Sequence, residues 1–233
     1  MSRVGGLHYD RYSTGGRQEW LMRIGPAEGA PILFLPPLFE EMNRTRAFLA
    51  SVMRTLAARG YGCWLPDLPG TGESEYRLES CTWEDWRQAA ADSGEHVARL
   101  AGGAPAIASV RGGTLLDDAA SGSCHWRFAP VDGASLARDM IRASMLKAEE
   151  MKGPQVDLAG YRFSETLLGE LSAAKPAPVG PVRSVRLASD RNEADWKVEG
   201  PALWRRSEPS NSPELVALIA SDIMEWGEQC AGS

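Results

Sequence analysis

The stretch Ile107-Ala108-Ser109-Val110-Arg111-Gly112-Gly113 decides how this chain is read. A small, apolar run meets two glycines, and Thr114-Leu115-Leu116-Asp117-Asp118-Ala119-Ala120 follows. That order predicts a buried strand, a tight turn and then a helix. A turn of this kind presents a serine nucleophile when its sequence is G-x-S-x-G. Aligned on the last glycine, the turn here is Ser109-Val110-Arg111-Gly112-Gly113, with arginine at the nucleophile's position. A guanidinium stays protonated at any working pH and cannot attack a carbonyl. The same few residues point towards a hydrolytic scaffold and away from hydrolytic chemistry on it.

Outward from that turn, strands and helices alternate. Pro31–Leu35 is a continuous apolar run bounded by prolines, as in a strand buried on both faces. Residues 61–66, 105–110, 125–128 and Val182–Leu187 read as further strands, and 19–24 as a short early one. Residues 43–59 carry Ala47, Phe48, Val52 and Leu56 at helical spacing, with Gly60 placed to stop the helix. Thr82 is the expected N-cap of a helix to Leu100, with Asp85 supplying a carboxylate at its third position and Gly102-Gly103 ending it. A long helix is expected from Asp132 or Ser135 to about Met151, and another over residues 165–174 behind Ser164. Pro213 opens a last helix with Leu215, Ile219, Ile223 and Trp226 on one stripe.

This alternation predicts an α/β fold in one domain over residues 1–233, a mostly parallel sheet with helices on both faces. Residues 175–181, with three prolines, read as a linker inside that domain, and residues 130–175 are the expected place for a small lid. In such sheets the ligand crevice lies at the carboxyl ends of the strands. The polar loops 36–46, 67–74, 111–113 and 189–195 all fall there.

Composition narrows the function classes. Of 233 residues, 43% are hydrophobic and 24% charged, ordinary for a globular protein, and the net charge is −6. Basic residues are scattered, which argues against a nucleic-acid surface. The longest apolar stretch, 32–39, is broken by Pro36 and Pro37 and is far short of the roughly 20 residues that span a membrane. No apolar leader follows Met1. Cys63, Cys81, Cys124 and Cys230 are widely spaced, which predicts reduced thiols in a cytoplasmic protein, with neither a zinc site nor a disulfide framework. No pair of histidines has ligand spacing and no pattern calls for a cofactor.

Two segments carry a family resemblance. Leu35-Pro36-Pro37-Leu38-Phe39-Glu40-Glu41-Met42-Asn43-Arg44-Thr45-Arg46 and Leu65-Pro66-Asp67-Leu68-Pro69-Gly70-Thr71-Gly72-Glu73-Ser74 resemble the α/β-hydrolase superfamily. More narrowly they resemble the exosortase A system-associated hydrolases of the second type, which also carry arginine in the elbow. Trp126-Arg127-Phe128-Ala129-Pro130-Val131-Asp132-Gly133, Gly160-Tyr161-Arg162-Phe163-Ser164 and Pro201-Ala202-Leu203-Trp204 are similar to later segments of that family. The resemblance covers about residues 19–228. It implies an α/β-hydrolase fold and a bacterial cytoplasmic protein encoded near the machinery for PEP-CTERM sorting and exopolysaccharide synthesis. This chain departs from the pattern at Ser109, where the elbow's first glycine stands, and at the added Gly112.

A serine hydrolase on this fold needs a nucleophile, then an acid, then a histidine, in that order. Asp190 or Asp195 stands where the acid belongs. No histidine follows His125, and where one is needed the chain reads Val198-Glu199-Gly200-Pro201-Ala202-Leu203-Trp204. Ser109 is two residues early, inside the strand, and Cys124 reads as a small buried residue. Arg111 at the crevice mouth, beside a helix N-terminus, favours an anion. It serves equally as a structural ion-pair partner of Glu40, Glu41, Asp67 or Asp190. Glu40 and Glu41 in the oxyanion-hole loop oppose acyl transfer, because like charge raises the cost of forming an oxyanion. The expected ligand-binding set is Glu40, Glu41, Arg44, Arg46, Arg111, Gly112 and Asp190. The ligand is a small anionic, acyl or glycan-type molecule. The alternative is a non-standard hydrolase or acyl transferase acting on an ester, thioester or glycan-linked substrate. Trp64, Trp126 and Trp204 are expected in the core, or else as a crevice wall.

Overall fold

The chain opens with an antiparallel hairpin, β1 (Leu7–Thr14) and β2 (Arg17–Ile24), in a computed structural model that describes residues 6–144 and 155–232. Gly15 and Gly16 turn it with φ of 53° and 76°, the left-handed pair that a two-residue hairpin turn requires. Then follow β3 (Pro31–Leu35), α1 (Glu40–Ala57), β4 (Gly62–Pro66), α2 (Trp83–Ala101), β5 (Ala106–Val110) and β6 (Cys124–Phe128). After them come α3 (Gly133–Ser144), a small hairpin of β7 (Gln155–Leu158) and β8 (Tyr161–Ser164), and α4 (Glu165–Ala173). The chain closes with β9 (Val182–Leu187), β10 (Trp196–Val198) and α5 (Pro213–Ala231).

Eight strands form one sheet in the order β1-β2-β4-β3-β5-β6-β9-β10. β2 runs antiparallel to β4, and every pairing from β4 to β10 is parallel. The three runs read as central strands are neighbours, with Leu33 opposite both Trp64 and Ile107. Their side chains alternate between two cores. Ile32 and Phe34 pack with Phe48, Val52 and Ile219 under α1 and α5, and Leu33 and Leu35 pack with Trp86, Ala90 and Val97 under α2. A strand that serves both cores has no polar face, which is why these segments read as unbroken apolar runs. Each fully buried Leu, Ile or Phe contributes about 1.5–3 kcal/mol.

The helix boundaries follow local chemistry. Thr82 and Asp85 close a reciprocal capping box on α2, and Gly102 ends that helix at φ 76°. Ser164 and Ser212 cap α4 and α5, with Pro213 in the first turn of α5. α1 starts at Glu40, three residues earlier than the apolar spacing predicts, because Glu40 and Glu41 suit the positive end of a helix. The helix expected over residues 114–120 does not form. A short 3-10 turn, Arg111–Leu115, is followed by further turns. Two glycines weaken helix nucleation there, and Asp117 is pulled inward to pair with Arg127 and Ser109. The helix expected up to Met151 is described as far as Ser144, and the remainder of that segment lies outside the described residues. Among the described residues, no helix is long and apolar enough to cross a membrane.

Candidate functional site

The turn after β5 has the strained geometry of an elbow. Arg111 adopts φ 52°, a left-handed conformation that costs a residue with a side chain of order 1–3 kcal/mol. Gly113 makes the turn possible, since a Cβ there would lie 2.2 Å from the Leu35 carbonyl oxygen at the end of β3. Gly112, expected to face a ligand, instead packs against Leu38 and Leu136, and a Cβ there would lie 2.8 Å from Leu38. With no α-helix behind the turn, Arg111 also lacks the helix N-terminus expected beside it.

The Arg111 side chain finds its partner in Glu41, from the first turn of α1. Its Nη2 donates to Glu41 Oε1 at 2.7 Å, and its Nε lies 3.2 Å from both carboxylate oxygens. Nη1 donates to the Ala129 carbonyl at 3.3 Å. The guanidinium carbon sits 4.7 Å from the centre of the Trp204 ring, a cation–π contact. Both side chains of the ion pair are only 10% exposed. Burial pushes the Glu41 carboxyl above the ordinary glutamate range, against the opposing pull of Arg111. Of the four carboxylates offered by the sequence as partners, the structure selects Glu41. Three of Arg111's five N–H groups are thereby used, leaving one on each terminal nitrogen.

Asp190 follows β9 and Trp204 follows β10, so the two loops that would carry acid and histidine do converge on Arg111's cleft. Burial acts to raise the Asp190 carboxyl, but the Asn192 N–H and the Arg186 guanidinium hold it below the ordinary aspartate range. Arg186 Nη1 donates to Asp190 at 2.7 Å and its Nη2 to the Pro130 carbonyl at 3.0 Å. Asp195 is elsewhere, accepting from the Ser184 backbone at 2.6 Å beside β9. Trp204, against Arg111 in the same cleft, carries no group that takes a proton.

The other expected residues divide. Glu40 does not join Glu41 in a carboxylate pair. It turns towards Arg44 at 3.5 Å, while Arg44 Nη1 donates to the Trp204 carbonyl at 3.1 Å. Arg46 is not brought to Arg111 at all, and lines a separate hollow with Asp67 and Glu73. Ser109 is fully buried in β5, its hydroxyl donating to Asp117 at 2.7 Å. Asp117 in turn holds Arg127 through two 2.7 Å contacts. Trp64 and Trp126 belong to the cores, whereas Trp204 packs on the core with one face and walls the cleft with the other. All four cysteines are free thiols.

A cleft of about 540 Å³ opens over Arg111, with Arg186, Asp190, Arg191, Trp204 and Arg205 in its wall. A second hollow of about 370 Å³, behind Glu41 and Arg44, shares Asp139, Trp204 and Arg205 with it. Two buried donors along this cleft, Arg186 Nε and Trp204 Nε1, meet no acceptor among the described residues, and Arg44 Nε in the second hollow forms no hydrogen bond either. Arg191 and Arg205 are exposed, and no carboxylate pairs with either among the described residues. Sequence reading missed Arg186, Arg191 and Arg205. Arg186 carried a usable signal, the second of two arginines in β9 and the one nearer its carboxyl end.

Solved structures share this arrangement of strands. Est1E from Butyrivibrio proteoclasticus, solved with ferulic acid bound, is 12% identical over 96% of this chain and 100% of that one, with a TM-score of 0.63. Mouse alpha/beta hydrolase domain-containing protein 10 is 14% identical over 95% and 99%, with a TM-score of 0.61. The thioesterase domain from the curacin biosynthetic pathway is 16% identical over 94% and 99%, with a TM-score of 0.58. This chain has the α/β-hydrolase fold. At such identities the likeness extends to the fold and not to the chemistry. No family model matches the sequence, and no curated protein matches it significantly.

Proposed function

We propose that this chain is a ligand-binding member of the α/β-hydrolase fold whose serine-hydrolase machinery has been replaced by an arginine–carboxylate cleft. The ligand is a small anion, taken at the carboxyl edge of the sheet between Arg111 and Asp190. The observation that carries this reading is Arg111 in the cleft wall, with one N–H left on each terminal nitrogen after Glu41 and Ala129 are served. A ligand oxygen that accepts from such a charged donor contributes about 1.5–3 kcal/mol. Arg191 and Arg205 at the rim form no ion pair among the described residues, and they share the cleft wall with Asp132 and Asp139. Arg111 acts as the floor of the cleft, fixed by Glu41, with two N–H groups still to give.

The resemblance of the Pro36-to-Arg46 loop and the arginine elbow to the exosortase A system-associated hydrolases supports a role beside PEP-CTERM sorting and exopolysaccharide synthesis. Sequencing the neighbouring genes tests that role, and an exosortase or glycosyltransferase gene is the expected neighbour. The ligand is tested by calorimetry against a uronic acid, a sugar phosphate and an acyl phosphopantetheine. A charge-assisted hydrogen bond contributes about 1.5–3 kcal/mol. Arg205→Glu and Arg191→Glu should therefore each weaken the bound anion by roughly ten- to a hundredfold. Binding that ignores both substitutions overturns the assignment.

A further inference from the structure

A third hollow, of about 680 Å³, lies between α1 and the β1–β2 hairpin and shares no residue with the Arg111 cleft. It exists because of how the hairpin is placed. β1 is the edge of the sheet, and the helices cover the sheet's centre. In the hairpin register, Leu7 faces Ile24, Tyr9 faces Met22 and Arg11 faces Trp20, so one face of the ribbon is almost wholly apolar. Leu7 is 50% and Tyr9 57% exposed on it. The facing wall is α1, where Ala47 and Ala50 leave space that larger side chains would fill. An apolar hollow of several hundred Å³ with few polar groups is the usual form of a small-molecule site.

Charge sets the polarity of this groove. Arg46 and Arg54 flank its α1 wall, eight residues apart, which is about 12 Å along a helix. Arg46 stands at the end that Asp67 and Glu73 also line, and its charge acts on Asp67. Arg54 stands at the other end near Leu7 and Ile24, exposed, and pairs with no carboxylate among the described residues. One end is thus mixed in sign, and the other offers an unopposed cation beside apolar surface.

We propose that the groove binds an amphipathic monocarboxylate, its carboxylate at Arg54 and its hydrocarbon body along Met22 and Tyr9 towards Trp20. The 12 Å between the two arginines suits a medium-length chain. A second carboxylate at the far end of the chain would meet Asp67 and Glu73 beside Arg46, two negative charges to one positive, so a dicarboxylate is disfavoured. A cationic amphiphile would meet Arg54 and is disfavoured too.

The test is calorimetry on the full chain with decanoate, decanedioate and decylammonium, each below its micellar concentration. Saturable one-to-one binding of decanoate is expected, at least tenfold tighter than of the other two. Arg54→Glu, on an exposed helix surface, should weaken decanoate at least tenfold, and Ala50→Trp should do so by filling the groove. Arg205→Glu, in the other cleft, should leave it within twofold. No saturable binding, equal binding of decylammonium, or indifference to Arg54→Glu overturns the proposal. So does a dimer in sedimentation that Tyr9→Glu dissociates, since a second copy would then be what covers this face.

Discussion

Glu41→Ala should destabilise this protein more than most single substitutions, and the structure gives the size. The carboxylate takes a 2.7 Å hydrogen bond from Nη2 of Arg111 and lies 3.2 Å from Nε through both oxygens. Removing it strands a guanidinium whose side chain is 10% exposed. Breaking a buried pair from one side costs about 3–5 kcal/mol. Water in the cleft reaches the terminal nitrogens, so the lower end, about 3 kcal/mol, is expected. For a chain of this length each kcal/mol lowers Tm by about 2–4 °C, giving a drop of roughly 6–12 °C. Arg111→Ala should behave differently, because the carboxyl left behind can take up a proton. Its pKa is already raised by burial, and Arg111 is the largest influence holding it down. A group whose folded pKa is raised gives its full stability below the unfolded value and loses it as pH rises through the folded one. The penalty of Arg111→Ala should therefore be small near the ordinary glutamate pKa of 4.5 and grow as pH rises above it. The double change Glu41→Leu with Arg111→Met should recover near-native stability, as apolar replacements of buried pairs do. The assays are thermal unfolding for Tm and urea unfolding across pH 4.5 to 8 for the pH dependence. A Tm drop under about 2 °C for Glu41→Ala, less than 1 kcal/mol on the same conversion, would refute the view of this pair as a buried structural floor. A double variant no better than the worse single one would refute it too.

Two further outcomes follow from the elbow. Ser109→Ala removes a hydrogen bond to the buried Asp117 and should cost about 1.5–3 kcal/mol in urea unfolding, with ligand binding in the cleft unchanged. Gly113→Ala should cost at least the roughly 1–3 kcal/mol of an overpacked core, since its Cβ would press on the Leu35 carbonyl. Gly112→Ala should cost less, because the atoms it meets are side-chain atoms of Leu38 and Leu136. Equal effects at the two glycines would mean that the elbow does not cross β3 as described.

The centre of the sheet was legible because β3, β4, β5 and β6 are buried on both faces, and a run such as Ile32-Leu33-Phe34-Leu35 cannot be much else. Helix ends were legible wherever a cap is local, as at Thr82, Gly102, Ser164 and Pro213. β1 was missed because Leu7–Thr14 is an edge strand with polar residues on both faces, yet Gly15-Gly16 was a hairpin signal. Ala159-Gly160, at φ 53° and 84°, is a second such turn, and it joins β7 to β8. The helix predicted after the elbow failed for a reason no local pattern holds. Asp117 is committed to Arg127, a partner fixed by the pairing of β5 with β6. At the site, arginine at the elbow and the absence of a histidine after His125 are facts of the sequence itself. The partner of Arg111 is not, because Glu40 and Glu41 are adjacent and helix geometry decides which one points inward. Arg46 was grouped with Arg44 by sequence proximity. Two residues apart on α1, they look out from different sides of the helix, into different hollows.

The claim on which the rest depends is that no activated serine exists on this scaffold, and one measurement meets it directly. Purified protein is treated with a fluorophosphonate probe, and its intact mass is read alongside turnover of a short-chain nitrophenyl ester. Arg111 at the elbow, Trp204 against it and a fully buried Ser109 predict an unmodified mass and no turnover above the uncatalysed rate. Arg111→Ser should be equally inert, because no histidine follows His125 to take the proton. Stoichiometric addition of the probe to any serine, above all Ser109, would contradict the claim and put an ester- or thioester-cleaving enzyme in its place.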